Sequence, residues 1–204
     1  MKVNSPYRYM GWVLLLMIPL FGLWYAGGTL SAAPAFYLAK IILQWWIPEI
    51  VDQVTLDGTR MLVVTLFDDQ NGQIVAATET GGQMAFPVET RLQSFSIPFF
   101  AALLFASRVS QPFERFSRGL LILWLLMAFS FVFVTFKNLM LGLGQTFFDS
   151  ASLPLPPPTL IALLYQLSVL IVPTLVPVIL WLWMAKDSPM LQQIWSRYGT
   201  RISS

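Results

Sequence analysis

Four apolar runs, at residues 12–25, 97–106, 119–136 and 160–185, alternate with short polar loops, and one long polar stretch at 49–93 follows the first of them. The run at 160–185 is long enough to cross about 30 Å of hydrocarbon at roughly 1.5 Å per residue. The run at 97–106 approaches that length only if its helix extends from Gln93 to Val109, in a tilted or locally thinned setting. Lys137 ends the third run and can snorkel toward headgroups. Residues 149–158, which include the run LPLPPP, read as an extended linker into the last span.

Inside 49–93 the periodicity changes from helical to strand-like. Turn pairs Asp57-Gly58, Asn71-Gly72 and Gly81-Gly82 punctuate it and predict strands near 53–56, 60–67, 73–78 and 83–89. The last alternates, with Met84, Phe86 and Val88 on one face and Gln83 and Glu89 on the other. The second is apolar on both faces, as a doubly covered central strand is. The expected unit is a meander of three or four strands, too small to fold alone.

Segment 34–48 is apolar but short, and Tyr37, Lys40 and Gln44 share one helical face. With Trp45 and Trp46 near its end, it suits a helix lying in the outer interface that braces the strands. The alternative is a fifth crossing, which would move the strands to the opposite side. The predicted fold is therefore membrane α-helical. Four transmembrane helices carry an interfacial helix and a small antiparallel β-meander inserted between the first and second spans. The expected divisions are 1–30, an N-terminal span; 31–48, the interfacial helix; 49–93, an extracytoplasmic meander; and 94–204, a three-span region with a short cytoplasmic tail.

Composition supports a membrane protein: 56% of the 204 residues are hydrophobic and only 11% charged. Lys2, Arg8, Arg108, Arg115, Arg118, Lys186, Arg197 and Arg201 stand on one side of the predicted layout, with Glu114 and Asp187. Most acidic residues fall on the other side. The positive-inside rule then puts both termini in the cytoplasm and 49–93 outside. A cleavable signal peptide is the rival reading of the first span, since Ser31-Ala32-Ala33 resembles a cleavage site. Pro34 just after that cut, and a segment at 9–30 long enough to span, speak against it.

Cysteine and histidine are absent. Thiolate nucleophiles, imidazole bases and most transition-metal sites are thereby removed. A net charge of +2 gives nucleic-acid binding no support. Asp68, Asp69 and Glu79 flank turns without a coordinating motif and read as solvated loop rather than a calcium site. Ser94, Ser96 and Ser107 lack any imidazole or suitably placed lysine, so serine catalysis has no basis. No catalytic, cofactor or metal residue is assigned.

The string YQLSVLIVPTLVPVILWLW in the last run is the most distinctive of the chain. Tyr165, Gln166 and Ser168 are polar groups at modest depth. Pro173 and Pro177, one turn apart, predict a kink with freed carbonyls near Val169 and Pro173. Such carbonyls find partners at a protein interface or a hydrated cavity. A structural kink with helix-packing polar groups, and a transport pathway, both remain open on these residues.

This string carries a resemblance to a known family. Trp24-Tyr25 ends the first span, Trp46-Ile47-Pro48 closes the next helix, a strand block follows, and then the span IPFFAALLFAS. The signature ends on Tyr165, Gln166, Leu170, Ile171, Pro173, Pro177, Val178, Leu180 and Trp181. Together these resemble the exosortase H-associated membrane protein family across most of the chain. The resemblance implies a multi-pass protein of the bacterial inner membrane, with 49–93 periplasmic. Its implied role is companion to an exosortase, a multi-span enzyme that processes C-terminal sorting tails through a cysteine with arginine and histidine partners. Lacking both Cys and His, this chain fits a non-catalytic accessory part in protein sorting or surface export. Its expected partners are the lipid bilayer and an exosortase-like transpeptidase or its exported substrate. Tyr165, Gln166, Pro173, Pro177, Trp45, Trp46, Met84 and Phe86 are the candidate interaction or structural residues. A subunit of a small-solute transporter or channel, or an assembly factor for pili or secretion, are the other readings.

Overall fold

The computed structural model describes residues 6–188 and 192. Lys2, Arg197 and Arg201, which enter the charge count, and the end of the tail at Ser204 lie outside the described residues. Helices α1 (Pro6–Ala26) and α2 (Ala33–Trp46) precede strands β1 (Val51–Asp57), β2 (Arg60–Thr65), β3 (Phe67–Gln70) and β4 (Gln73–Ala76). A one-turn helix α3 (Ala77–Thr80) leads to β5 (Ala85–Glu89). Then come α4 (Arg91–Ser94), α5 (Ser96–Ala106), α6 (Pro112–Leu143), α7 (Gln145–Asp149) and α8 (Pro158–Gln166). A π-helical segment, Leu167–Ile171, and α9 (Leu175–Met184) follow.

Among the described residues two helices, Tyr7–Ala26 and Pro112–Leu143, are long and apolar enough to cross a membrane, and a third span results if Pro158–Ile171 and Leu175–Met184 count as one broken crossing. The protein is thus mostly helical, with two or three candidate spans and a small antiparallel sheet. In the run at 97–106, where a further span is expected, α5 has 11 residues, and even the joined helix Arg91–Ala106 is shorter than a full crossing. The third run does not stop at Lys137: α6 continues to Leu143. Only 11% of the apolar window of α1 is buried, against 56% for α6. Leu14, Leu15, Ile18 and Leu23 of α1 therefore face outward, as a lipid-facing helix requires.

The chain divides into two compact units, one built from the residues up to Gly27, Phe95–Leu123 and those from Thr174 on, the other from Gly28–Ser94 and Trp124–Pro173. In the first, α5 packs against α1 and α9. Its helix is apolar on all sides, and eight of its 11 residues are buried. An all-round apolar helix is one surrounded by others. Tyr9 and Trp181 stack with ring centroids 5.7 Å apart. The Tyr9 hydroxyl and the Ser107 hydroxyl both donate to the Leu103 carbonyl, at 3.1 and 2.9 Å, and the Trp181 indole N–H donates to Ser107 Oγ at 2.6 Å.

The second unit holds the strands, and here the expected single meander is corrected. β1, β2 and β5 form one three-stranded sheet in that order, while β3 and β4 form a separate two-stranded ribbon. The strand expected at 60–67 is cut at Leu66. There the Leu66 N–H donates to Ile50 and its carbonyl accepts from Ala77, while the Thr65 N–H donates to Met84. Those partners turn the chain out of the first sheet. Gly81 does not make a hairpin; it caps α3 in the left-handed region at φ 75°, and its N–H returns to the Ala77 carbonyl. The turn at Asn71-Gly72 is the expected one, with φ of 55° and 86°. β2 is the central strand. Met61, Val63 and Thr65 are buried on one face, and Leu62 and Val64 are half-buried on the other.

The expected proline kink is a break. The Val172 N–H bonds to the Leu167 carbonyl, five residues back, and closes a π turn. Pro173 lies in the gap before α9, and Pro177 sits in the first turn of α9. Amide N–H groups there have no intrahelical acceptor, so a proline loses nothing. Pro177 thus opens a helix where the sequence places it inside one.

Candidate functional site

The second unit is organised on the C-terminal half of α6. The Asn138 amide donates to the Pro87 carbonyl of β5 at 3.1 Å. Four residues on, Gly142 leaves room for the Phe86 ring; a Cβ at Gly142 would clash with the edge of that ring. Phe136, fully buried, meets the Trp46 ring edge-on at 5.1 Å and the Phe147 ring at 5.8 Å. The Trp46 indole N–H reaches the Pro154 carbonyl at 3.4 Å, and Ser152 donates to the Glu49 carboxylate. That bond holds the Glu49 carboxyl below the usual glutamate range. The loop after α7 is thus strapped to the end of α2.

Lys137 is half-buried, with its ammonium 5.0 Å from the centre of the Tyr165 ring and 3.4 Å from Asn138 Oδ1. The lysine sits on an aromatic face. Three of the sequence candidates, Trp46, Phe86 and Tyr165, therefore converge on neighbouring turns of α6. Met84 stands apart from that helix contact. Its backbone joins Thr65 and Phe67 where the two sheets part. Met84, Phe86 and Val88 do share the covered face of their strand, with Gln83, Ala85 and Pro87 exposed. Glu89 is half-buried and pairs with Arg60 across the sheet at 3.2 Å.

The remaining candidates are scattered. Trp45 is 72% exposed, Gln166 is exposed at the end of α8, and Pro173 is buried in the break. Pro177 lies in the other unit. Sequence reading missed Asn138, Gly142 and Ser152. A polar pair, Lys137-Asn138, inside an otherwise apolar run is the one signal that marks the docking turn of α6.

The two edges of the three-stranded sheet differ. β5 carries Pro87, which lacks a donor, and the Pro87 carbonyl is occupied by Asn138. β1 pairs with β2 on one side, and among the described residues no strand pairs with its other edge. Asp52, Gln53 and Asp57 on β1 are exposed. No group of described acidic residues is placed to hold a metal ion. The arrangement presents hydrogen-bonding backbone at a fixed edge.

These features define a membrane protein that holds a small sheet against one of its own apolar helices. Residues 3–188 match the family model of the exosortase H-associated membrane protein, and the chain belongs to that family. No curated protein and no solved structure matches the chain.

Proposed function

We propose that this chain is a non-catalytic partner subunit of an exosortase-type protein-sorting system, receiving an extended segment of the transpeptidase or its exported substrate on the outer edge of β1. Family membership supports the association with an exosortase. The observation that carries the docking surface is the contrast between the blocked β5 edge and the open β1 edge. Strand addition needs an open ladder and a sheet that does not move, and Asn138, Gly142 and Phe86 supply the anchorage.

In this reading both termini are cytoplasmic, the sheet is periplasmic and the chain crosses the inner membrane four times. The fourth crossing falls to Arg91–Ala106, which is short. Packed between α1 and α9 with most side chains buried, α5 need not match the lipid thickness by itself. α2, 14 residues or about 21 Å long, is too short to cross and lies at the interface, with Tyr37, Ile41 and Trp45 exposed. Reporter fusions near Gly72 and at Ser204 should report opposite sides; the same side for both sinks the topology.

The docking test is Leu56→Pro. Counting back from the Asp57–Arg60 closing pair, the Leu56 N–H points away from β2, so proline removes an outward donor and spares the ladder. Capture of the transpeptidase or its substrate by tagged chain in mild detergent should fall at least tenfold, with the thermal midpoint within a few degrees of wild type. Undiminished capture would overturn the edge assignment, and repeated recovery of the wild-type chain alone would overturn the accessory role. The broken helix at Pro173 favours a second reading, a solute pathway. Replacing Tyr165, Gln166 and both prolines would then abolish flux in vesicles, and unchanged flux rejects it.

A further inference from the structure

A cleft of about 310 Å³ opens in the first unit, lined by Gln111, Glu114, Arg115 and Arg118 from the start of α6 and by Trp183, Met184, Lys186 and Asp187 from the end of α9. Three cations face it against two carboxylates. Arg115 is the structural one: its guanidinium donates to the Met184 carbonyl, lies 3.3 Å from Ser110 Oγ and 3.5 Å from Asp187, and its side chain is 23% exposed. The other pairing is loose. Arg118 bonds Glu114 one turn away on an exposed face. Lys186 is exposed. Exposed pairs of this kind contribute little, so an anion with more than one oxygen can replace the carboxylates at small cost.

The setting limits which anion. The cleft lies at the end of an apolar helix that qualifies as a span, and exposed Phe113 and Trp183 stand beside it, at 75% and 61%. Arg108, from the same loop, lies over the Trp12 ring at 5.3 Å. Aromatics and cations together at the end of a span mark the headgroup level of a bilayer, and basic pockets between helices there take phosphorylated headgroups. We propose that this cleft binds the phosphate of an anionic phospholipid, with Arg118 and Lys186 on the phosphate oxygens, Arg115 fixing the wall, and Trp183 against the glycerol and acyl root. This assignment is independent of the sheet edge and of any sorting partner.

The test uses purified full-length chain in a neutral detergent, with three probes: dioctanoyl phosphatidylglycerol, dioctanoyl phosphatidylcholine and inorganic phosphate. Adducts are counted by native mass spectrometry and affinity is read from the shift in thermal midpoint with concentration. Phosphatidylglycerol should bind saturably, at one site. Arg118→Gln and Lys186→Gln should each weaken it about fivefold, and the double variant about 25-fold. Both side chains are exposed, so these variants fold; Arg60→Gln on the sheet is the control and should leave binding unchanged. Equal binding of phosphatidylcholine overturns the charge assignment. Equal stabilisation by inorganic phosphate overturns the lipid assignment in favour of a free anion. Wild-type affinity in the double variant overturns the site.

Discussion

The helical unit and the sheet-bearing unit are each held in shape by a different kind of internal contact. In the helical unit the ties are polar and internal to the bundle: Tyr9 and Ser107 share the Leu103 carbonyl, and Trp181 donates to Ser107 while stacking on Tyr9. In the sheet-bearing unit the ties run from helix to strand. Asn138 bonds the Pro87 backbone, Phe86 fills the space left by Gly142, and Lys137 covers Tyr165. Helices that pack in lipid gain little from apolar burial against one another, so hydrogen bonds and small residues set their register. A sheet of three short strands has the opposite need, a large surface to lean on.

α6 serves both units and carries one glycine contact in each, which gives the largest expected effect. Alanine at a helical glycine ordinarily gains about 1 kcal/mol of helix propensity. At Gly119 the added Cβ would clash with the edge of the Phe100 ring and come close to Met184 Sδ, and Phe100 is fully buried with nowhere to go. Gly119→Ala should therefore destabilise the helical unit by about 3 kcal/mol. Phe86 is only half-buried and can swing outward, so Gly142→Ala should cost about 1 kcal/mol. Thermal midpoints in detergent, with hydrogen exchange to locate the loss, rank the two. Gly142→Ala as the more damaging change would reverse the comparison.

Next in size are the polar ties of the helical unit. Tyr9→Phe keeps the stack on Trp181 and removes one donor, for a loss of about 1 kcal/mol or somewhat less. Trp181→Phe removes the donor to Ser107 as well as stacking area, and should cost more. The pair should be non-additive, because both side chains act through Ser107 and the Leu103 carbonyl. Strict additivity in the double variant would show that no shared network exists. The corresponding tie in the other unit is weaker: Lys137→Met should lose about 0.5–1 kcal/mol. Tyr165→Phe should be tolerated because the ring remains, whereas Tyr165→Leu should match the lysine variant. Equal effects of Phe and Leu would dismiss the cation–π contact.

The same contrast explains what could be read from the chain. Contacts encoded by neighbouring residues were visible: Asn71-Gly72 supplies two positive φ values in a row, and the alternation of Met84, just before β5, with Phe86 and Val88 gives the covered face. Contacts between distant residues were not. The cut at Leu66 depends on Ile50 and Ala77 taking its backbone groups, and nothing within 60–67 announces it. The string at 165–181 revealed its prolines but not their positions in a helix, because a proline inside and a proline in a first turn read alike. The convergence of Trp46, Phe86 and Tyr165 on α6 is a tertiary fact. The Lys137-Asn138 pair was its trace, and a snorkelling lysine was the simpler reading of it.

The smallest effect concerns the strap between Glu49 and Ser152, where the sheet-bearing unit is tied by a contact wholly in solvent. The Ser152 hydroxyl donates to the Glu49 carboxylate and holds its pKa below the usual glutamate value of about 4.3. A carboxyl lowered on folding favours the folded form above that usual value, and the contribution disappears as pH falls through the lowered one. Stability near neutral pH should not respond to Ser152→Ala beyond a slight drop. Carboxyl titration by NMR on labelled glutamate, with Glu49→Gln for assignment, should place Glu49 below its exposed counterparts, and Ser152→Ala should move it upward. Should Ser152→Ala leave the Glu49 titration where it was, the strap is absent in solution, and the tie of this loop to α2 rests on the Trp46–Pro154 bond.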